Sequence, residues 1–365
     1  MKTNHLEMLT RPIALKPERL AMAKFAYTTR RVERSAIKTL LTGERQPHSG
    51  DLLLARVEKL GHHQRIELEH GRRAPLFSGD EVVVCYGNRY APDQFESEVP
   101  ADLSACHLVA AGGIASICLS RHSGTGTPTR IQPLGLLGDA NGMPINIADW
   151  GIDPPEAKHS QPLVLAVVGT AMNAGKTTTA AHLIKGLSRA GMKVGGAKLT
   201  GTGAGGDRWL MSDSGAIDVV DFTDAGFAST YRASLAQLEC IQSRLMSHLR
   251  NQGVEAIVME IADGLFQRET AMLLESPPFK SSVNAVIFAA GDAMGACSGA
   301  EWLRQRGLPL LALSGCLSAS PLASREAEAV TGLPVLGLDA LSSPDIAVQL
   351  FERHGELTAP TSKVG

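Results

Sequence analysis

Residues 163–180 read LVLAVVGTAMNAGKTTTA. Six apolar residues, 163–168, have the length and β-branched content of a buried strand. They run directly into Gly169, Thr170, Ala171, Met172, Asn173, Ala174 and Gly175, and then into Lys176, Thr177, Thr178 and a helical pattern. Strand, glycine loop and helix in that order make a phosphate-binding unit. Small residues let backbone N–H groups curl round a polyphosphate, and the positive end of the helix dipole faces the anion. Lys176 is then placed to reach the β- and γ-phosphates, and the Thr177 hydroxyl to bind Mg2+. In the usual pattern, G-x-x-x-x-G-K-[ST], the first glycine would fall at Thr170, whereas here Gly169 stands one residue further out. We expect Gly169, Thr170, Asn173, Ala174, Gly175, Lys176, Thr177 and Thr178 to hold a nucleotide or a nucleotide-like polyphosphate.

Downstream of this stretch, strand and helix patterns alternate. A helix over 177–190 carries Ala180, Leu183, Ile184 and Leu187 at helical spacing and stops at Gly191. A strand at 193–198, a glycine-rich loop at 200–206 and a strand at 219–222 follow. Then come a long amphipathic helix at 232–251, strands at 256–261, 285–290, 309–314 and 334–337, and a last helix near 345–354. Repeated strand–helix units imply a mostly parallel sheet with helices on both faces, its site at the carboxyl ends of the strands.

Upstream the texture is different. Residues 1–25, with Pro12 and Pro17, suit an extended arm or a first edge element, 24–32 a strand and 33–41 a short helix. Residues 51–58 (DLLLARVE), 65–69 (RIELE) and 81–86 (EVVVCY) read as short strands separated by turns at Gly61, Gly71 and Gly79, the spacing of a small barrel or sandwich. Gly112 and Gly113, inside the apolar run 108–119, mark either a bend between strand and helix or a close backbone approach. Asn88, Arg89, Tyr90 and Asp93 form a substrate rim or a solvated loop, and His62, His63 and His107 are surface or core residues. Residues 139–162 carry Pro144, Pro154, Pro155 and Pro162 among polar turn residues and read as a linker. The expected fold is therefore α/β, with a smaller β-rich domain over 1–138, a linker over 139–162 and a P-loop domain over 163–365.

With 365 residues and 44% hydrophobic content the chain can bury two cores. Lysine and arginine total 35 against 37 acids, a net charge of -2, which leaves no electrostatic footprint for nucleic acid or an anionic membrane. Six scattered cysteines without C-x-x-C spacing suit buried thiols in a reducing compartment. The first residues lack an apolar core of signal-peptide length, and no apolar run reaches a membrane span. We expect a cytoplasmic protein whose partner is a small molecule, an amino acid or carboxylic acid, with no nucleic acid and no membrane, in a homo-oligomer.

A bound nucleotide needs a cation, and the cation needs carboxylates near Thr177. Glu260, late in an apolar strand, is costly there unless paired or bound to metal. Asp263 is a second such acid or a helix cap. Lys198, at a strand end, projects toward the same edge as Lys176, and the glycines after it can surround an anion. Asp207 and Asp213 are rival metal ligands or bases. Lys176, Lys198, Glu260 and Asp207 are the catalytic candidates, and Thr177, Asp207, Asp213 and Glu260 the metal candidates. Residues 221–232 (DFTDAGFASTYR) are rich in functional side chains, and with Lys198, Thr200 and Gly201 we place Asp224, Ser229, Thr230 and Arg232 on the acceptor substrate. The absence of Asn-Lys-x-Asp or Thr-Lys-x-Asp favours adenine over guanine.

The long loop ending Gly175-Lys176-Thr177, Lys198 after the second strand, an aspartate beyond it and Glu260 resemble the dethiobiotin synthetase group of P-loop proteins. That group also holds cobyrinic acid diamide synthetases and molybdopterin-guanine dinucleotide accessory proteins. The resemblance implies that Lys176, Thr177, Glu260 and Asp207 or Asp213 bind ATP and Mg2+ and that Lys198 meets the substrate. After the glutamate the chain departs from that group, with Ile261, Ala262, Asp263 and Gly264 in place of a glycine run. Over 163–340, the stretches TGTGAGGD, DSGA, DFTDAGFASTYR and SASPLASREAEAVTGLPV resemble a bacterial family that includes D-glutamate N-acetyltransferases. Three functions follow as expectations. The first is an ATP- and Mg2+-dependent ligase that activates a carboxylate by phosphoryl transfer for amide formation. The second is an acetyl-coenzyme A-dependent N-acyltransferase whose P-loop holds coenzyme A phosphates. The third is a nucleotide-dependent switch or carrier.

Overall fold

The computed structural model describes residues 12–153, 161–346 and 348–350. The chain divides into two units. Unit 1 takes in the described residues through Asp153 and adds Gly201–Gly206 and Phe222–Arg232; unit 2 comprises the described residues from 161 to Thr200, Asp207–Asp221 and those from Ala233 onward.

The apolar runs of unit 1 form a closed ring. Strand β1 (Leu52–Lys59) pairs antiparallel with β2 (Glu81–Tyr86), which pairs in parallel with the start of β4 (Ile114–Arg121). Strand β4 pairs antiparallel with β3 (Cys106–Ala110), β3 with β5 (Thr129–Gly138), and β5 returns to β1. A ring has no free edge to template further pairing. Alternate residues enter two cores: Leu53, Ala55, Val57, Val82 and Val84 one, and Leu52, Leu54, Val83 and Cys85 the other. Burial on both faces is why DLLLARVE and EVVVCY run almost unbroken in apolar residues.

Around this ring the structure differs from the sequence reading. Only Lys24–Phe25 of 24–32 is strand, followed by a 3-10 turn at Tyr27–Thr29. The helix expected at 33–41 is a 3-10 turn, Arg34–Ala36, and a strand, Thr39–Leu41, because pairing with β5 and burial of Leu40 and Leu41 outweigh local preference. Gly112 and Gly113 turn one strand into another. Residues 139–153 of the expected linker fold into unit 1: the Asn146 side chain accepts from Ala148 N and donates to Asp51, and Ile147 is buried. Residues 154–160, the start of the arm at 1–11 and the end of the last expected helix lie outside the described residues.

His63 is wedged among Arg89, the Val109 carbonyl and the Phe95 ring. Burial above all, then the charge of Arg89, holds its imidazole down to about 3 against an ordinary 6.5, while the Val109 carbonyl opposes them. The unfolded chain therefore binds this proton more readily, and His63 subtracts stability progressively as pH falls from about 6.5 toward about 3. Urea unfolding at pH 7 and pH 5 should show a fall in midpoint that is smaller in His63→Gln. Equal falls would remove His63 from the account.

Among the described residues, unit 2 holds a six-stranded, wholly parallel sheet. Its strands are β6 (Leu163–Gly169), β7 (Val194–Lys198), β8 (Asp218–Asp221), β9 (Ala256–Glu260), β10 (Ala285–Ala289) and β11 (Leu310–Ser314), in the order β8-β7-β9-β6-β10-β11. Helices α1 (Lys176–Arg189), α2 (Gly206–Asp213), α3 (Leu235–Asn251), α4 (Arg268–Glu275), α5 (Pro277–Ser282) and α6 (Ala293–Gln305) connect them, and α7 (Pro321–Thr331) follows the last strand. Helix α3 starts later than expected because Ser234 and Gln237 close a capping box, with Arg232 outside it at φ 67. Residues 334–337 contribute one isolated bridge, Val335 to Leu313. Among the described residues no helix is long and apolar enough to cross a membrane.

Candidate nucleotide and cation site

Strand β6 is buried throughout and lies between β9 and β10, so its loop emerges among neighbouring strand ends. The loop turns twice through left-handed backbone, at Asn173 (φ 65) and at Gly175 (φ 96), the residue before α1. A Cβ at Gly175 would stand 2.9 Å from Gly315 Cα, so only glycine fits without strain. The loop after β11 braces it: Cys316 N donates to Ala174 O at 3.0 Å and Cys316 Sγ to Asn173 O at 3.3 Å. Thr170 N donates to Ala289 O at 3.0 Å, while Thr178 is exposed on α1.

Lys176 is 6% exposed and donates from Nζ to Ala171 O at 2.7 Å. Burial lowers the pKa of its ammonium, the charges of Glu260 and Asp263 work against that, and Lys198 adds to the lowering. An ammonium held this way, beside the first turn of a helix, is a preformed partner for an anion.

Register carries the other chemistry to the same edge. Glu260 stands between Val167 of β6 and Lys198 of β7. Its Oε1 accepts from Thr177 Oγ1 at 2.8 Å and lies 4.0 Å from Lys198 Nζ, whereas its Oε2 is buried with no hydrogen-bond partner among the described residues. A buried carboxylate oxygen left open is expensive unless something else completes it. The hydroxyl and carboxylate present are hard oxygen donors of the kind Mg2+ takes from a protein, the remainder coming from phosphate and water. Among the described residues no three His, Cys, Asp or Glu side chains gather into a metal cage of their own.

The structure separates the two rival aspartates. Asp207, in the first turn of α2, ion-pairs with Lys198; Asp213 is exposed at the far end of that helix, about 9 Å along its axis. Asp207 is thereby a partner of Lys198, and Asp213 faces water.

The substrate candidates divide as well. Thr200, two residues past Lys198, is buried and its hydroxyl accepts from Ala262 N at 2.8 Å. Gly201, Ser229, Thr230, Asp224 and Arg232 belong to unit 1. There Gly201 N donates to Thr230 Oγ1 at 2.9 Å, Thr230 N to Gly201 O at 3.0 Å, and Ser229 bridges Thr202. Asp224 pairs with Arg30 at 2.6 Å and stands 3.8 Å from Arg31, and Arg232 pairs with Glu98. Within unit 1, Asp224, Ser229, Thr230 and Arg232 thus each have a protein partner. Cys316, which the sequence reading passes over, carries no local signal, since its partner Asn173 lies 143 residues away.

No protein-family model matches the chain, and no curated protein matches it in sequence. Several solved structures are similar. The signal recognition particle 54 kDa protein of Aeropyrum pernix K1, in complex with GDP, aligns at 21% identity over 56% of this chain and 52% of that one, with a TM-score of 0.36. Chloroplast FtsY of Physcomitrella patens aligns at 16% identity over 57% of this chain and 70% of that one, with a TM-score of 0.38. The kinase domain of the Escherichia coli tyrosine kinase ETK aligns at 14% identity over 42% and 66%, with a TM-score of 0.32. The parallel sheet of unit 2, with its glycine loop between β6 and α1, is a P-loop nucleotide-binding fold.

Proposed function

We propose that the protein is an ATP- and Mg2+-dependent ligase of the dethiobiotin synthetase-like kind, activating a carboxylate on an amino acid or other small acid for amide formation. The observation that carries this reading is Glu260, bonded to Thr177 through one oxygen, open at the other and 4.0 Å from Lys198. A carboxylate oxygen of the substrate takes the γ-phosphoryl group as ADP leaves; an amine then displaces phosphate from the acyl carbon and loses a proton. Mg2+, when bound, neutralises charge on the phosphates. The residues supply placement. Loop N–H groups and Lys176 fix the phosphates, Thr177 and Glu260 hold the cation, and Lys198, released from Asp207, meets the transferring group.

A second reading, an N-acyltransferase using acetyl-coenzyme A, draws support from the stretches at 200–207 and 221–232 that resemble D-glutamate N-acetyltransferases. In that case the loop holds coenzyme A phosphates and no nucleotide is consumed. Isothermal titration with ATP plus Mg2+, with GTP plus Mg2+ and with acetyl-coenzyme A separates the readings. We expect Mg2+-dependent ATP binding, followed by ADP release on addition of the right acid. Acetyl-coenzyme A binding with indifference to ATP would replace the ligase by the acyltransferase. Hydrolysis without any acceptor would mark a switch.

A further inference from the structure

The turn after β9 is fixed by side chains from two other elements. Ile261 N continues the sheet by donating to Val167 O at 3.0 Å, and Leu199 N donates to Glu260 O at 3.0 Å. At Ala262 the pattern changes from backbone to hydroxyls. Ala262 N donates to Thr200 Oγ1 at 2.8 Å, and Ala262 O accepts from Thr270 Oγ1 at 2.9 Å. Both threonines are buried, at 2% and 1% exposure, and Thr270 is itself anchored by its N–H on the Gln267 side chain at 2.8 Å. The next residue, Asp263, sits at φ 63, a backbone conformation that non-glycine residues seldom adopt. Gly264 follows against the phosphate loop, where a Cβ would stand 2.2 Å from Thr170 O. A left-handed aspartate persists only where its surroundings hold it, and such positions cluster at ligand sites.

We propose that Thr200 and Thr270 form a hydroxyl clamp on Ala262 that presents two carboxylates, Glu260 and Asp263, to the divalent cation accompanying a bound nucleotide. This rests on the nucleotide reading above. The two threonines are positioning residues acting through the Ala262 backbone. Glu260 is directed at Thr177 from the near end of the turn, and Asp263 stands at its tip, one residue before Gly264 packs on the phosphate loop at Thr170. The clamp supplies what a glycine run cannot, a rigid turn with an acid at its tip.

The test uses the full chain and titrates MgCl2 at fixed ATP, reading Mg2+-dependent nucleotide binding. Thr200→Val and Thr270→Val keep the side-chain volume and lose the hydroxyl. Each should weaken the apparent Mg2+ affinity about 10–100-fold, as loss of an outer-shell partner does, with ATP binding in EDTA unchanged. Thr200→Ser and Thr270→Ser restore the hydroxyl and should rescue the parental dependence. Asp263→Asn, which leaves the clamp intact, should shift the Mg2+ requirement in the same direction and decides the matter if the valine variants do not fold. Parental Mg2+ dependence in either valine variant or in Asp263→Asn would overturn the clamp, as would serine variants that behave like valine. A parent that binds no nucleotide would instead overturn the reading beneath it.

Discussion

Replacing Lys176 by alanine should lower nucleotide affinity at least about 100-fold, or about 2.7 kcal/mol. The ammonium is already stripped of most of its water, at 6% exposure, and is steered onto the loop by Ala171 O at 2.7 Å. Its charge therefore acts on a phosphate through a medium far less screening than water. The free protein should not suffer, because burial already disfavours the charged lysine. Thermal unfolding without ligand should be unchanged or slightly raised, while the rise produced by Mg2+ and ATP in the parent disappears. Lys176→Arg should fail nearly as badly, since a planar fork is not interchangeable with a compact ammonium. Retained affinity in Lys176→Ala would mean that loop N–H groups alone hold the phosphates.

The largest effect on stability is expected at Asp224. Its side chain is 4% exposed, pairs with Arg30, itself 11% exposed, at 2.6 Å, and has Arg31 at 3.8 Å. Arg30 also stacks on Tyr27 at 4.0 Å and bonds Thr223. Asp224→Ala leaves a buried guanidinium without its carboxylate and should cost about 3–5 kcal/mol, read as a lower urea midpoint. The double replacement Arg30→Met and Asp224→Leu should recover much of this, because the desolvation cost leaves with the charges. A loss of under about 1 kcal/mol in Asp224→Ala would show that Arg30 finds water instead.

What could be read from the sequence was what neighbours in sequence dictate. The phosphate loop is a local motif whose strand, glycine and lysine lie within eighteen residues, and unit 2 repeats one strand–helix pattern, so its strand positions followed closely. Residues 24–41 were misread because their state is set by β2 and β5, far along the chain. The polar segment 221–232 reads as functional side chains on the acceptor substrate, and its composition does not disclose the buried ion pair of Asp224 with Arg30. Only the fold shows that Asp224 faces Arg30 and Thr230 faces Gly201. Likewise Asp207 and Asp213 are equivalent on paper, and one helix turns one toward Lys198 and the other to water.

Unit 1 is assembled from pieces of chain that are made at different times. Its ring is complete once Gly138 has been synthesised, yet Glu67 has no Gly205 N–H to accept from, and Arg30 must wait for Thr223, 193 residues further on. From Gly138 to Thr223 is 85 residues, which at about 5–20 residues per second takes about 4–17 s. Throughout it a nascent chain carries its ring with an arginine and a glutamate destined for burial still in water. A fragment that stops at Asp153 is held permanently at that unfinished stage.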